Sequence, residues 1–199
     1  MGAMAVQENS RDSTQAWARA RANAPANRFK LTGVDHVGLP CRDPVRAGRF
    51  VEKILGGVEI YRAGFAEEDR KLGRLRHIFF HVGAQLVEVV EQEDLRSYPA
   101  HTNPDSINTN PHWAFGATPE DLAKFVEHLK RENIPFDGPR SHHGVSVVSV
   151  YFRDVDGNNL EVTTWEPIPP GLLRTTPMGG ENGFIPWKGL SHDWNDKPA

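Results

Sequence analysis

The chain has one cysteine in 199 residues, Cys41, so no intrachain disulfide is possible. A disulfide-stapled secreted scaffold is excluded, and the cytoplasm is the expected compartment. No apolar run approaches the ~20 residues that a membrane helix requires. The polar, charged N-terminus has no secretory-signal pattern. Basic residues are not in excess: 23 Lys and Arg stand against 26 Asp and Glu, for a net charge of −3. That balance argues against a nucleic-acid partner. A Gly-rich phosphate loop is also missing, and no glutathione or CoA site is readable.

What is present is a soluble globular composition, 38% hydrophobic and 25% charged, with nine histidines. The length suits one domain with a real core plus extensions. Within it the chain plays one pattern twice, and such a repeat fixes the architecture. His36 opens a short alternating strand, Asp43-Pro44 starts a helix, and Gln85-Leu86-Val87-Glu88-Val89-Val90 closes the unit. In the second copy His112 opens the strand, Thr118-Pro119 starts the helix, and Asn159-Leu160-Glu161-Val162-Thr163 closes. His36 and His112 are 76 residues apart, and Glu88 and Glu161 are 73 apart.

Each unit reads as βαβββ, giving an α+β fold of two tandem modules, 31–96 and 111–165. The first strand spans about 31–39, with Val37 and Leu39 on one face and His36 and Gly38 on the other. Asp43 is a good N-cap, Pro44 suits the first helical position, and Gly56-Gly57 ends that helix. Strands follow over 58–63, 75–82 and 85–91, with a charged turn over 64–73. In the second module the helix runs from Pro119 to Glu132 behind a Thr118 cap. A proline-broken strand over 134–139 belongs at a sheet edge. Strands over 145–152 and 160–165 flank a turn at 154–158 that needs Gly157. Residues 1–30 are expected to be a flexible or helical extension, with one possible amphipathic helix over 13–22. Residues 166–199 form a Pro- and Gly-rich irregular arm, expected to pack on the domain or a partner subunit.

Two glutamates inside apolar strands are unusual, because burying a lone carboxylate is costly. Either both face water or both face a cation. Paired with a strand histidine in each repeat, they point to one metal held by His36, Glu88, His112 and Glu161. A mixed nitrogen and oxygen set suits Zn²⁺, Fe²⁺, Mn²⁺, Ni²⁺ or Co²⁺. Other polar residues have plainer readings. Cys41 is either a thiol near the site or a small buried apolar residue. His77 and His81 share a strand face that water could cover. Arg46, Arg49, Arg74, Arg76 and Arg153 are candidates for an anionic substrate. The Asp154-x-Asp156-Gly157 start of a calcium loop lacks the later ligands.

These motifs together resemble the vicinal oxygen chelate superfamily of glyoxalases, bleomycin-resistance proteins and extradiol dioxygenases. The stretches that carry the likeness are Asp35-His36-Val37-Gly38-Leu39, Leu86-Val87-Glu88-Val89-Val90, His112-Trp113-Ala114 and Tyr151 through Glu161. The resemblance covers about 33–165. It implies that the two modules form a curved mixed sheet around the metal, from one chain or exchanged in a homodimer. It implies a glyoxalase-like lyase or isomerase of a small carbonyl or hydroxy-acid compound, with Glu88 or Glu161 as the proton-moving carboxylate. The runner-up is a non-haem Fe(II) extradiol-type dioxygenase, for which His36, His112 and Glu161 would form the triad. In that branch Tyr151 and a histidine of the His142-His143 pair, His143 foremost, would act beside the metal. A histidine at 101 is a weaker acid or base candidate. A metal-free, drug-sequestering resistance protein is the third reading.

Overall fold

In the computed structural model, residues 34–92, 95, 112–142, 146–177 and 187–190 are described. The first repeat is β1 (His36–Cys41), α1 (Pro44–Leu55), β2 (Val58–Ala63), a short α2 (Glu67–Lys71), β3 (His77–Val82) and β4 (Gln85–Glu91). The second is β5 (Trp113–Gly116), α3 (Pro119–Arg131), β6 (Phe136–Ser141), β7 (Val148–Arg153) and β8 (Asn159–Thr164). Each repeat makes a mixed sheet, ordered β1-β4-β3-β2 and β5-β8-β7-β6. In both, the first strand runs parallel to the last and sits at one end of its sheet.

Local chemistry explains the helices. Asp43 Oδ1 accepts the Val45 amide at 3.1 Å, Pro44 opens α1, and Gly56 ends it at φ 68°. A left-handed residue at that position favours glycine. Thr118 Oγ1 likewise accepts the Asp121 amide at 3.2 Å ahead of α3. Each helix lays its apolar stripe on its own sheet. Phe50, Val51 and Ile54 of α1 and Leu122, Val126 and Leu129 of α3 join one core with Val37, Leu39, Val87, Val89, Val150, Phe152 and Leu160.

The two repeats also touch through this helical side. Lys53 Nζ pairs with Glu132 Oε2 at 2.9 Å, and His128 Nε2 lies 2.8 Å from the Lys53 carbonyl. Asn158 Nδ2 donates to the Pro40 carbonyl at 3.0 Å, tying the β7–β8 turn to β1.

Four expectations change. The charged stretch after β2 contains the helical turn α2, with acidic residues first and basic residues last, as the helix dipole favours. The first strand runs on to Cys41, two residues past its expected end at 39. The proline-containing β6 does not end its sheet. Its outer side is covered by β9 (Thr176–Pro177), so the arm contributes a strand. The arm also supplies a 3-10 helix, Trp187–Leu190, which packs on β7 and buries Leu190. Composition hides such an arm, because its strand is two residues long and has no period to detect. The possible helix over 13–22 lies outside the described residues.

The 154–158 turn is the best-anchored loop. Asp154 Oδ1 accepts the amides of Asp156 at 2.9 Å and Asn158 at 2.8 Å, and its Oδ2 accepts Asn158 Nδ2 at 2.6 Å. Gly157 supplies the positive φ, 90°. Burial pushes the Asp154 carboxyl up to about 6, against the opposing pull of the Asn158 hydrogen bonds. Asp154→Ala should destabilise the protein by about 2–4 kcal/mol, since it orphans buried donors, as urea unfolding would show. The pH dependence has a definite sign. The folded state binds this proton more tightly than the unfolded chain, whose carboxyl titrates near 3.8. The group's contribution to stability therefore falls as pH rises from about 3.8 to about 6, a slope that Asp154→Asn should remove.

Candidate metal centre

The paired repeats place their glutamates in matching surroundings. Across the first sheet, Gly38, Glu88, Phe79 and Tyr61 are register neighbours in one row. Across the second, the same row reads Ala114, Glu161, Tyr151 and Asp137. His36 and His112 each precede the first residue of their row by two positions, so each histidine shares a face with its glutamate.

In the second repeat the pair is tight. His112 Nε2 lies 2.8 Å from Glu161 Oε2, and the Glu161 side chain is only 9% exposed. Burial pushes that carboxyl up, but hydrogen bonds from His112 and Ser149, together with nearby His112 and His142, hold it below the usual carboxylate range. Ser149 Oγ lies 3.1 Å from His142 Nε2 and 3.0 Å from Thr163 Oγ1. His142 Nε2 also meets the Tyr151 hydroxyl at 3.1 Å. Burial lowers His142, partly opposed by the Glu161 charge, and burial with the same charge raises Tyr151. Both groups therefore favour their neutral forms at neutral pH.

In the first repeat the pair is looser. His36 Nε2 lies 4.0 Å from Glu88 Oε2, with side-chain exposures of 45% and 18%. His36 Nδ1 is 2.9 Å from Asp35 Oδ1, which fixes the other ring nitrogen. Phe79 stacks edge-on against His36 at 5.7 Å, and rings of His77 and Tyr61 continue the row. His77 thus belongs to this aromatic row and is half-buried, while His81 faces outward.

The donor set fits a divalent ion. The 2.8 Å between His112 Nε2 and Glu161 Oε2 suits a hydrogen bond. It is also close to the spacing of neighbouring donors that each stand about 2.0–2.2 Å from one metal. Each sheet thus carries one His–Glu pair. Among the described residues no three His, Cys, Asp or Glu side chains group as a metal site.

The Glyoxalase/Bleomycin resistance protein/Dioxygenase superfamily model matches residues 33–162. The chain belongs to this superfamily. A curated relative, a fosfomycin resistance protein, FosX, from Listeria innocua, is 25% identical over 132 residues, 66% of this chain and 89% of that protein. The solved FosX from Listeria monocytogenes superposes with a TM-score of 0.51 at 22% identity, covering 66% of this chain and 92% of that one. A second structure of that protein, complexed with Mn(II) and sulfate, gives 0.50 at 22%, over 67% and 93%. The superfamily uses divalent metals, which agrees with the donor types gathered here.

Some candidates find other employment. Arg46 donates to the Val155 carbonyl at 3.2 Å, Arg74 pairs with Asp69 at 2.8 Å, and Arg76 Nη2 pairs with Glu91 at 2.6 Å. Arg153 is buried and donates to Asn159 Oδ1 at 2.9 Å. Arg49 is exposed on α1. The histidine beside Tyr151 is His142. His143 and His101 lie outside the described residues. Sequence reasoning missed Ser149 and Thr163, which look like ordinary strand residues, and Arg140. The Arg140 guanidinium is buried against Asp137 at 2.7 Å and donates to Thr176 Oγ1 at 3.2 Å, so it fastens the arm.

Cys41 is fully buried, its Sγ donates to the Val90 carbonyl at 3.4 Å, and burial plus the Asp156 and Asp154 charges push its thiol up. It is a core residue and not a nucleophile. A thiol reagent should leave the native protein unlabelled and label one site per chain after denaturation. Stoichiometric labelling of the native protein would contradict this placement.

Proposed function

We propose that the protein is a divalent-metal-dependent, glyoxalase-type lyase or isomerase acting on a small carbonyl or hydroxy-acid compound. The observation that carries this reading is Glu88. It shares a face with His36 in the same register that joins Glu161 to His112. A two-histidine, one-carboxylate triad leaves such a residue without employment. A four-donor set uses it.

His36, Glu88, His112 and Glu161 would hold the metal, which when bound supplies a Lewis acid for adjacent substrate oxygens. His112 orients Glu161. A carboxylate at the site, Glu88 or Glu161, moves a proton between neighbouring carbons. Neutral Tyr151 and His142 offer hydrogen-bonding groups to a substrate oxygen, and the Phe79–Tyr61 row offers apolar surface beside Glu88.

The complete site is assigned to a homodimer in which the half-site of one copy's first repeat meets that of its partner's second repeat. Two observations support it: among the described residues no three donors group as a metal site, and β1 and β5 both lie at sheet ends. Mixing His36→Ala and His112→Ala proteins, each inactive alone, should restore part of the activity, because one site of each mixed dimer keeps both histidines. No recovery after subunit exchange would argue for a site within one chain.

A second reading, an extradiol-type dioxygenase, is favoured by the Tyr151 hydroxyl 3.1 Å from His142 Nε2 beside Glu161. Glu88→Ala separates the two. The lyase or isomerase reading expects loss of metal affinity and activity, whereas retained Fe(II) and oxygen uptake with catechols would favour the dioxygenase. Because the curated relatives are fosfomycin resistance proteins, fosfomycin belongs in the substrate panel. Its turnover in preference to carbonyl compounds would replace the lyase or isomerase reading. Protein purified without chelator should carry metal. None at any stoichiometry would leave the metal-free binding protein.

A further inference from the structure

The two half-sites match in register but differ in what supports the carboxylate. Ser149 lies at the centre of the second one. It is fully buried, and its hydroxyl is shared among Glu161, His142 Nε2 at 3.1 Å, Thr163 Oγ1 at 3.0 Å and Tyr151. Thr163 Oγ1 is itself held, 3.3 Å from the Val148 carbonyl. A serine hydroxyl has one proton and two lone pairs. An ionised Glu161 can only accept, so the Ser149 proton is directed to it, and the remaining neighbours compete for the Ser149 lone pairs.

In the first repeat the two register positions of Ser149 and Thr163 are taken by His77 and Val90. Neither supplies a hydroxyl. Among the described residues Glu88 is met only by His36 at 4.0 Å, and the open row beside it is Gly38 and Phe79.

We propose that Ser149 is a positioning residue that fixes Glu161 as the anchoring carboxylate of the metal, while Glu88 completes the site without such support. The proposal rests on the metalloenzyme reading above. Outer groups that orient a ligating carboxylate act on metal affinity, because an unheld side chain must be ordered each time the metal binds. The hydroxyl of Ser149 is therefore expected to show itself in binding, before any turnover.

The test is Mn(II) affinity of the full-length protein, measured by electron paramagnetic resonance of free Mn(II), with the melting temperature of metal-free protein as a parallel readout. Ser149→Ala should weaken Mn(II) binding about 10- to 100-fold. Thr163→Val removes a neighbour of the same hydroxyl without touching Glu161, and should change affinity only a few fold even if it lowers the melting temperature as much. Ser149→Thr keeps the hydroxyl and should recover most of the affinity. Should Ser149→Ala fail to fold, Ser149→Cys keeps the volume with a weaker donor and carries the same expectation. Equal losses in Ser149→Ala and Thr163→Val, or wild-type affinity in a folded Ser149→Ala, would overturn the proposal. If the unaltered protein bound no Mn(II) or other divalent ion, the metalloenzyme reading would fall first and this one with it.

Discussion

The burial of the Glu161 carboxylate is the constraint on which the rest of the second repeat depends. A carboxylate taken out of water is stable only if donors or a cation replace its hydration. Here His112, just ahead of β5, and Ser149, from β7, reach it from opposite sides of β8. Those contacts require β8 to lie between β5 and β7, in the register that puts Tyr151 opposite Glu161. A one-residue slip would turn Glu161 toward α3 and Leu160 toward the site. The carboxylate therefore specifies register as well as chemistry.

The first repeat uses the same frame with fewer polar commitments. Its Glu88 sits between a histidine and an aromatic row, and the outer strand β2 leaves Tyr61, Val58 and Ile60 exposed. In the second repeat every residue of β7 and β8 is buried on both faces, and the C-terminal arm is fastened there through Arg140 and Leu190. The duplicated fold thus offers one half that is more buried and one that is more open.

The repeat itself was legible in the sequence because strand and helix periods, caps and breakers agree locally. Asp43-Pro44, Thr118-Pro119 and Gly157 sit where the backbone demands them. The four candidate donors were legible because a glutamate between valines, or within Leu160-Glu161-Val162, breaks an apolar pattern twice at matching places. Ser149 and Thr163 were not, because a hydroxyl in a half-polar strand breaks nothing. The contact of His142 with Tyr151 depends on the pairing of β6 with β7, which pattern reading does not resolve. β9 and the Arg140–Asp137 pair arise from contacts between residues far apart in sequence. How the two His–Glu pairs lie relative to one another is tertiary as well: a repeat announces that its halves correspond, and not how they meet.

Metal coordination is the sharpest check on a site that draws on both repeats. Mn(II) added to protein carrying ¹⁵N-labelled histidine should show, by electron spin-echo modulation, two imidazole nitrogens on each bound ion, with His36→Ala and His112→Ala each removing one. A bound Mn(II) with no imidazole coupling, or one unaffected by either substitution, would contradict it.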